Sequence, residues 1–260
     1  MKKITINVDD LGLSPAVNQA VIQLAQQKRI HSTSFMSLGH IDQQDVIALN
    51  SYDIDIGLHF DLTEFGQQGS LKQVLMQSLF YRWSETRLID HITKQLDAFE
   101  EKIGQVPVFV DGHQHVHQFP QIQNLLFKTL EQRYGKKILL RSTKPIQKDF
   151  KSYLIYLLGG FRFNQLIQQK KWQSNTDFGG IYGFNADERM LETLWNQWLG
   201  QASTQGTVLM CHPAIPDVTW QDSIKTTREL EYKWLSSERF GELWDQHDCR
   251  PQFWHDFIKT

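Results

Sequence analysis

Ile4-Thr5-Ile6-Asn7-Val8-Asp9-Asp10-Leu11-Gly12-Leu13-Ser14-Pro15 holds a strand, a polar turn and a helix start in one short run. Ile4 to Val8 is rich in β-branched residues, which favours a strand. Asp9-Asp10-Leu11-Gly12 ends it. Ser14 then reads as an N-cap and Pro15 as the first residue of a helix running to about Lys28. The same alternation continues along the chain. Ser32–Leu38 reads as a strand, Gln43–Asn50 as a helix and Ile54–His59 as a strand, followed by polar sequence to about Gly69. From Ser84 to Ile103 apolar residues recur at helical spacing, with Gly104 as the stop. Pro107–Val110 is the next strand, Pro120–Tyr134 a helix and Lys137–Arg141 a strand. Lys144–Asn175 fits the alternation least and is expected to be an insertion or lid. Asn185, with Glu188 three residues on, predicts a helix to Leu199 stopped by Gly200. Thr207–Cys211 is a late strand, and Thr226–Trp244 is helical. Strands alternating with helices imply parallel βαβ units. No G-x-G-x-x-G follows the first strand, which argues against a dinucleotide fold. A closed or distorted TIM-like (β/α) barrel, forming one α/β domain over residues 1–260, is therefore expected.

Composition narrows the function classes. Hydrophobic residues make up 40% and charged residues 22% of the 260 residues, as in ordinary globular proteins. The net charge of −2, with signs intermixed, gives no electrostatic case for nucleic acid or an anionic membrane. No run approaches the length of a membrane span, and the N-terminal segment lacks the apolar core of a signal peptide. Two cysteines, Cys211 and Cys249, make no disulfide framework, so a cytoplasmic protein is expected. Trp195 and Trp198 share a helix face. Core packing is the simpler reading for them, a homodimer contact the alternative.

The chemistry-bearing residues gather at strand ends. Asp9 and Asp10 close the first strand and His59 the third. Asp111, His113, His115 and His117 follow the fourth, and His212 follows Cys211. In a parallel barrel those ends share one rim. Taken singly, an Asp pair suits a turn, His59 suits a packed interior and His212-Pro213 suits a turn. The triplet His113, His115, His117 has little structural motive; in an extended segment its rings would point the same way, toward a metal. An Asp with two His leaves coordination positions open for water and a substrate carbonyl, which is a catalytic pattern. A second carboxylate can take the water's proton and a histidine can protonate a leaving amine. Adjacent Asp9 and Asp10 diverge in extended backbone, which suits separate roles, and Asp111 is a candidate to orient a ligand imidazole.

Four segments together resemble the YdjC-like carbohydrate deacetylases, including chitooligosaccharide deacetylases of the ChbG type. They are Val8–Ser14, Gly57–Thr63, Asp111–His117 and Met210–Ala214, with Asp217, Pro120 and Asn18 also fitting. The resemblance spans nearly the whole chain. It implies a distorted barrel related to polysaccharide deacetylases and hydrolysis of an N-acetyl group from an amino sugar. Carried over, Asp10, His59 and His113 would bind a divalent metal, Asp9 would be the base and His212 the acid. Asp61, Asp111, His115, His117, Arg141 and Asp217 would line or support the site. The family implies magnesium, whereas two imidazoles and a carboxylate suit zinc or another transition ion better. Leu11 and Asp61 depart from the family's usual Phe and Asn, so Asp61 is expected to add a carboxylate near His59. A phosphoesterase or amidohydrolase would also use Asp and His at a barrel rim. A non-catalytic sugar-binding protein would lack the base or the acid, yet Asp9 and His212 are both present.

Overall fold

Strand β1 (Lys2–Leu11) runs through the middle of the sheet in the computed structural model, which describes residues 1–147 and 149–257. Ser14 caps helix α1 (Pro15–Gln26) by accepting from the Val17 N–H, with Pro15 at its start as the sequence predicts. There follow β2 (Ser32–Phe35), α2 (Gln43–Asn50), β3 (Asp55–Phe60), α3 (Leu71–Leu79), α4 (Glu85–Ile103) and β4 (Phe109–Gly112). Next come α5 (Pro120–Tyr134), β5 (Leu139–Leu140), α6 (Phe150–Ile155), α7 (Phe161–Lys170), β6 (Asp177–Gly179) and α8 (Glu188–Gln201). The chain then forms β7 (Thr207–Cys211), α9 (Lys225–Leu235), α10 (Glu238–Gln246) and β8 (Cys249–Pro251).

The sheet order is β5-β4-β3-β2-β1-β7-β6, with every pairing parallel and β8 added beside the start of β1. Two isolated bridges, Leu140 with Ser174 and Pro145 with Phe178, join its edges. The result is the distorted α/β barrel that the alternation predicts.

Strand parity sorts the side chains, because successive residues face opposite sides of a sheet. Ile4, Ile6 and Val8 on β1 belong to the large core between sheet and helices. Thr5, Asn7 and Asp9 have the other parity and enter the barrel. The barrel floor is a second apolar cluster of Phe109, Leu139, Phe178, Val208, Trp254 and Phe257. Trp254 stacks on Phe109 at 4.2 Å and plugs the end opposite the site.

Several elements differ from expectation. The second strand stops at Phe35, and Ser37 instead donates to the Gln95 carbonyl. Asp187, rather than Asn185, caps α8, accepting from the Met190 N–H at 2.8 Å. Gly200 lies inside that helix, which ends at Gln201 with Ala202 as its C-cap. The predicted Thr226–Trp244 helix is two helices, because Ser237 starts a new one by accepting from the Phe240 N–H. The short elements α3, β6 and β8 escape periodicity arguments. Segment 144–175 carries α6 and α7 joined by a π turn at Tyr156–Gly160. Trp195 and Trp198 are both 1% exposed and meet edge to face at 5.5 Å, so they serve the core.

Candidate active site

The end of β1 does not stay extended. Asp10 has φ 69°, and the pairing register with β2 shifts between Val8 and Leu11. This left-handed bulge turns both neighbouring carboxylates toward the barrel mouth while giving them different partners. Gly12, at φ 90°, lets the turn pass over Phe35; a Cβ there would sit 2.5 Å from that ring. Its N–H donates to Asn18 Oδ1 at 2.7 Å, which anchors the loop on α1.

Asp10 faces His59 and His113. Its Oδ1 lies 3.3 Å from His59 Nε2 and 2.9 Å from His113 Nδ1. One donor atom from each of Asp10, His59 and His113 lies within 4.8 Å of the others. The His59 Nδ1 is engaged by Asp111 at 2.6 Å, which fixes the ring and leaves Nε2 toward the cavity. A second group, Asp9, His59 and Asp111, satisfies the same distances. It is a buried ion network tied up by Arg141, and Asp111 does not reach the cavity wall. The first group therefore fits a divalent ion and the second does not. Arg228 donates to Asp10 Oδ2 at 2.7 Å, leaving Oδ1 as the donor toward the imidazoles.

Asp9 sits deeper. Arg141 grips it through two nitrogens, each at 2.7 Å, and also contacts Asp111. Beneath it runs a ladder inside the barrel: Trp254 Nε1 donates to Ser32, Ser32 to Asn7, and Asn7 Nδ2 to Asp9 Oδ1 at 2.7 Å. Burial would raise the Asp9 carboxyl, but the Arg141 charge and hydrogen bonds hold it well below the carboxylate range. Asp10 is likewise held low against its burial, chiefly by Arg228 and His113. Burial would lower the His59 imidazole, but Asp111, Asp10 and Asp9 push it up to about 10. A metal ion binding there would displace that proton.

His212 follows β7 on the cavity wall, with Nε2 4.0 Å from Asp9 Oδ2. Its backbone N–H donates to Glu231, a buried carboxylate that also accepts from Tyr182. Phe184 packs edge-on against its ring at 5.0 Å.

The histidine triplet is not extended. His113–Gln118 forms a tight 3₁₀ segment in which Gln114 and His115 have φ of 51° and 60°. The three rings consequently separate. His113 joins Asp10, and His115 lines the cavity edge-on to Phe178 at 5.8 Å. His117 turns behind, with Nε2 3.1 Å from the Arg141 carbonyl. Burial and the Arg141 charge lower His115 to about 3. Two expected contributors lie elsewhere. Asp61 accepts from the N–H groups of Thr63, Glu64 and Gly66 at 2.8–2.9 Å, so its carboxylate organises a loop and does not line the cavity. Asp217 caps an exposed turn at Thr219 and does not line the cavity. The sequence reading missed Arg228, Asp222, Trp220, Phe184 and Asn7. Inward parity on β1 signals Asn7; the others come from α9 and from loops without any local pattern. The cavity has a volume of about 470 Å³, within the range of about 300–1,000 Å³ usual for small-molecule sites.

The family model for YdjC-like proteins matches residues 3–246. A chitooligosaccharide deacetylase of Serratia marcescens is 27% identical over 233 residues, covering 84% of each chain. A solved protein of Enterococcus faecalis, provisionally assigned to cellobiose-phosphate cleavage, superposes with a TM-score of 0.74 at 18% identity, covering 99% of both chains. A family 4 acetyl xylan esterase of Clostridium thermocellum, crystallised with a cobalt ion, gives 0.52 at 10% identity, covering 99% of this chain and 90% of its own. At these identities the two structures speak for the fold, a parallel barrel of the same kind.

Proposed function

Since the chain belongs to the YdjC-like family, we propose that it is a metal-dependent carbohydrate deacetylase. Its substrate would be an N-acetylated amino sugar, an N-acetylglucosamine-containing mono- or oligosaccharide, and its products acetate and the free amine. The observation that carries this reading is the convergence of Asp10, His59 and His113 at a cavity whose wall also bears Asp9 and His212. The Serratia marcescens relative supports the sugar.

Asp10, His59 and His113 would hold the ion. When bound, it supplies acidity to a water and polarises the acetyl oxygen. The imidazoles favour zinc or another transition ion over the magnesium implied by resemblance. Asp9, kept ionised by Arg141, accepts the proton of the water that adds to the acetyl carbon. Arg141 also makes Asp9 a weak base, so the water's own acidity has to be raised for the transfer to run. His212 delivers a proton to the sugar nitrogen as the C–N bond breaks. Its backbone is held by Glu231 and its ring by Phe184, so the imidazole is oriented. Two buried, unpaired thiols, Cys211 and Cys249, suit a reducing compartment such as the cytoplasm. No helix among the described residues is long and apolar enough to cross a membrane.

The test is a panel of N-acetylglucosamine mono-, di- and trisaccharides beside simple phosphate esters, read for both acetate and phosphate. Acetate from the sugars without phosphate release is expected. Phosphate release without acetate would transfer the site to phosphoester chemistry.

A further inference from the structure

Between β7 and α9 the chain crosses the barrel mouth with neither strand nor helix, yet it is well held. Asp217 accepts from the Thr219 N–H at 2.8 Å and the Thr219 hydroxyl at 2.7 Å. Asp222 accepts from the Ile224 N–H at 2.8 Å. Two such turns flank Trp220 and restrict its backbone. Trp220 is half-buried and lines the cavity. Behind it lies the Arg228 guanidinium, 5.7 Å from the ring centroid. Arg228 is 4% exposed and divides its donors between Asp222 at 2.6 Å and Asp10 at 2.7 Å. The indole is thus linked through one buried cation to the carboxylate proposed to hold the metal.

The cavity's other large aromatic is already occupied. Phe184 meets His212 edge-on and Tyr182 at 4.7 Å, and Lys151 Nζ sits 5.3 Å from its ring. Trp220 meets no other ring among the described residues, so the side of its indole not covered by Arg228 is the aromatic surface left for a ligand. One face of a pyranose is a patch of C–H groups with partial positive charge, which an electron-rich indole attracts much as it does a ring edge or a cation. We propose that Trp220 is the platform on which the sugar ring bearing the acetamide stacks, held in register with Asp10 by the Asp222–Arg228 pair. The inference rests on the deacetylase reading and adds to it the residue that selects a pyranose. A platform already fixed before the sugar arrives saves ordering cost on binding.

The test compares Trp220→Phe with Trp220→Leu in metal-loaded protein, with the N-acetylglucosamine disaccharide as probe. Binding is read by calorimetry in an Asp9→Asn background, so that hydrolysis does not consume the probe, and KM and kcat are read with Asp9 intact. Trp220→Leu should weaken binding and raise KM about tenfold with kcat changed less than about threefold, the pattern of lost uniform binding. Trp220→Phe should stay within about threefold of the parent in all three, because it restores an aromatic face. Parent-like behaviour of Trp220→Leu, equal impairment of both variants, or a loss confined to kcat would overturn the platform. Protein that binds the disaccharide but releases no acetate defeats the deacetylase reading alone, and the binding comparison still decides Trp220. Protein that binds no disaccharide defeats both.

Discussion

Asp9 and Asp10 are adjacent in the chain, yet each answers to a different arginine. Arg141 holds Asp9 from the end of β5, and Arg228 holds Asp10 from α9. This division makes their substitutions separable. Asp9→Asn should keep a full equivalent of bound metal while losing about 100-fold or more in kcat, the usual scale for a general base. Metal content by elemental analysis and acetate release on the same preparation check it; near-parental turnover would remove Asp9 as the base. His31 provides a pH test away from the site. Its Nδ1 accepts from the Ile6 N–H at 2.9 Å, and burial lowers the imidazole to about 3. Below the ordinary value of about 6.5 the unfolded chain gains a proton that the folded chain refuses. The stabilisation is thus complete above about 6.5 and is lost as pH falls toward 3. Between pH 7 and pH 5 the parent should lose about 2 kcal/mol more than His31→Gln in urea unfolding, at about 1.36 kcal/mol per unit. Equal losses would mean that His31 titrates normally in the fold.

At the scale of elements, caps and breaks decided where periodicity was ambiguous. Asn185 and Asp187 both suit an N-cap by residue type. Only Asp187 places an oxygen on a free helix N–H, that of Met190. Asp187→Ala should cost about 1 kcal/mol of stability and Asn185→Ala only a few tenths, read by thermal or urea unfolding. The reverse order would restore the earlier start. For α4 the sequence was sufficient: Leu88, Ile92, Leu96, Phe99 and Ile103 form one buried stripe, and Gly104 closes the helix at φ 81°. The histidine triplet shows the opposite case. Its alternation looked extended because spacing alone cannot reveal two consecutive left-handed residues, and these send His117 away from the cavity. Asp61 was expected to add a carboxylate near His59; it instead caps the loop that follows it by accepting from the Thr63, Glu64 and Gly66 N–H groups, a role its residue type suits.

The molecule as a whole joins far-apart segments through strand parity. Asp9, His59, Asp111, Arg141 and His212 stand at or just past five strand ends, and the barrel brings them to one mouth. For Asp9, His59, Asp111 and His212 that convergence was readable from residue type and position, because parallel strands leave their C-terminal ends on one rim, whereas Arg141 entered only with the family resemblance. Trp220, Asp222 and Arg228 were not readable. They arrive through a long loop and a helix whose approach depends on packing against α1 and α8, which no local pattern encodes. On the proposed reading the site is complete only with a metal held by Asp10, His59 and His113. The direct measurement is acetate release from the N-acetylglucosamine disaccharide by protein stripped with a chelator, dialysed, and then supplied with zinc, cobalt or magnesium. Release should vanish on stripping and return with a divalent ion in the parent protein, but not in His59→Ala or His113→Ala. Full release from the stripped protein, or restoration in both variants, would contradict the account.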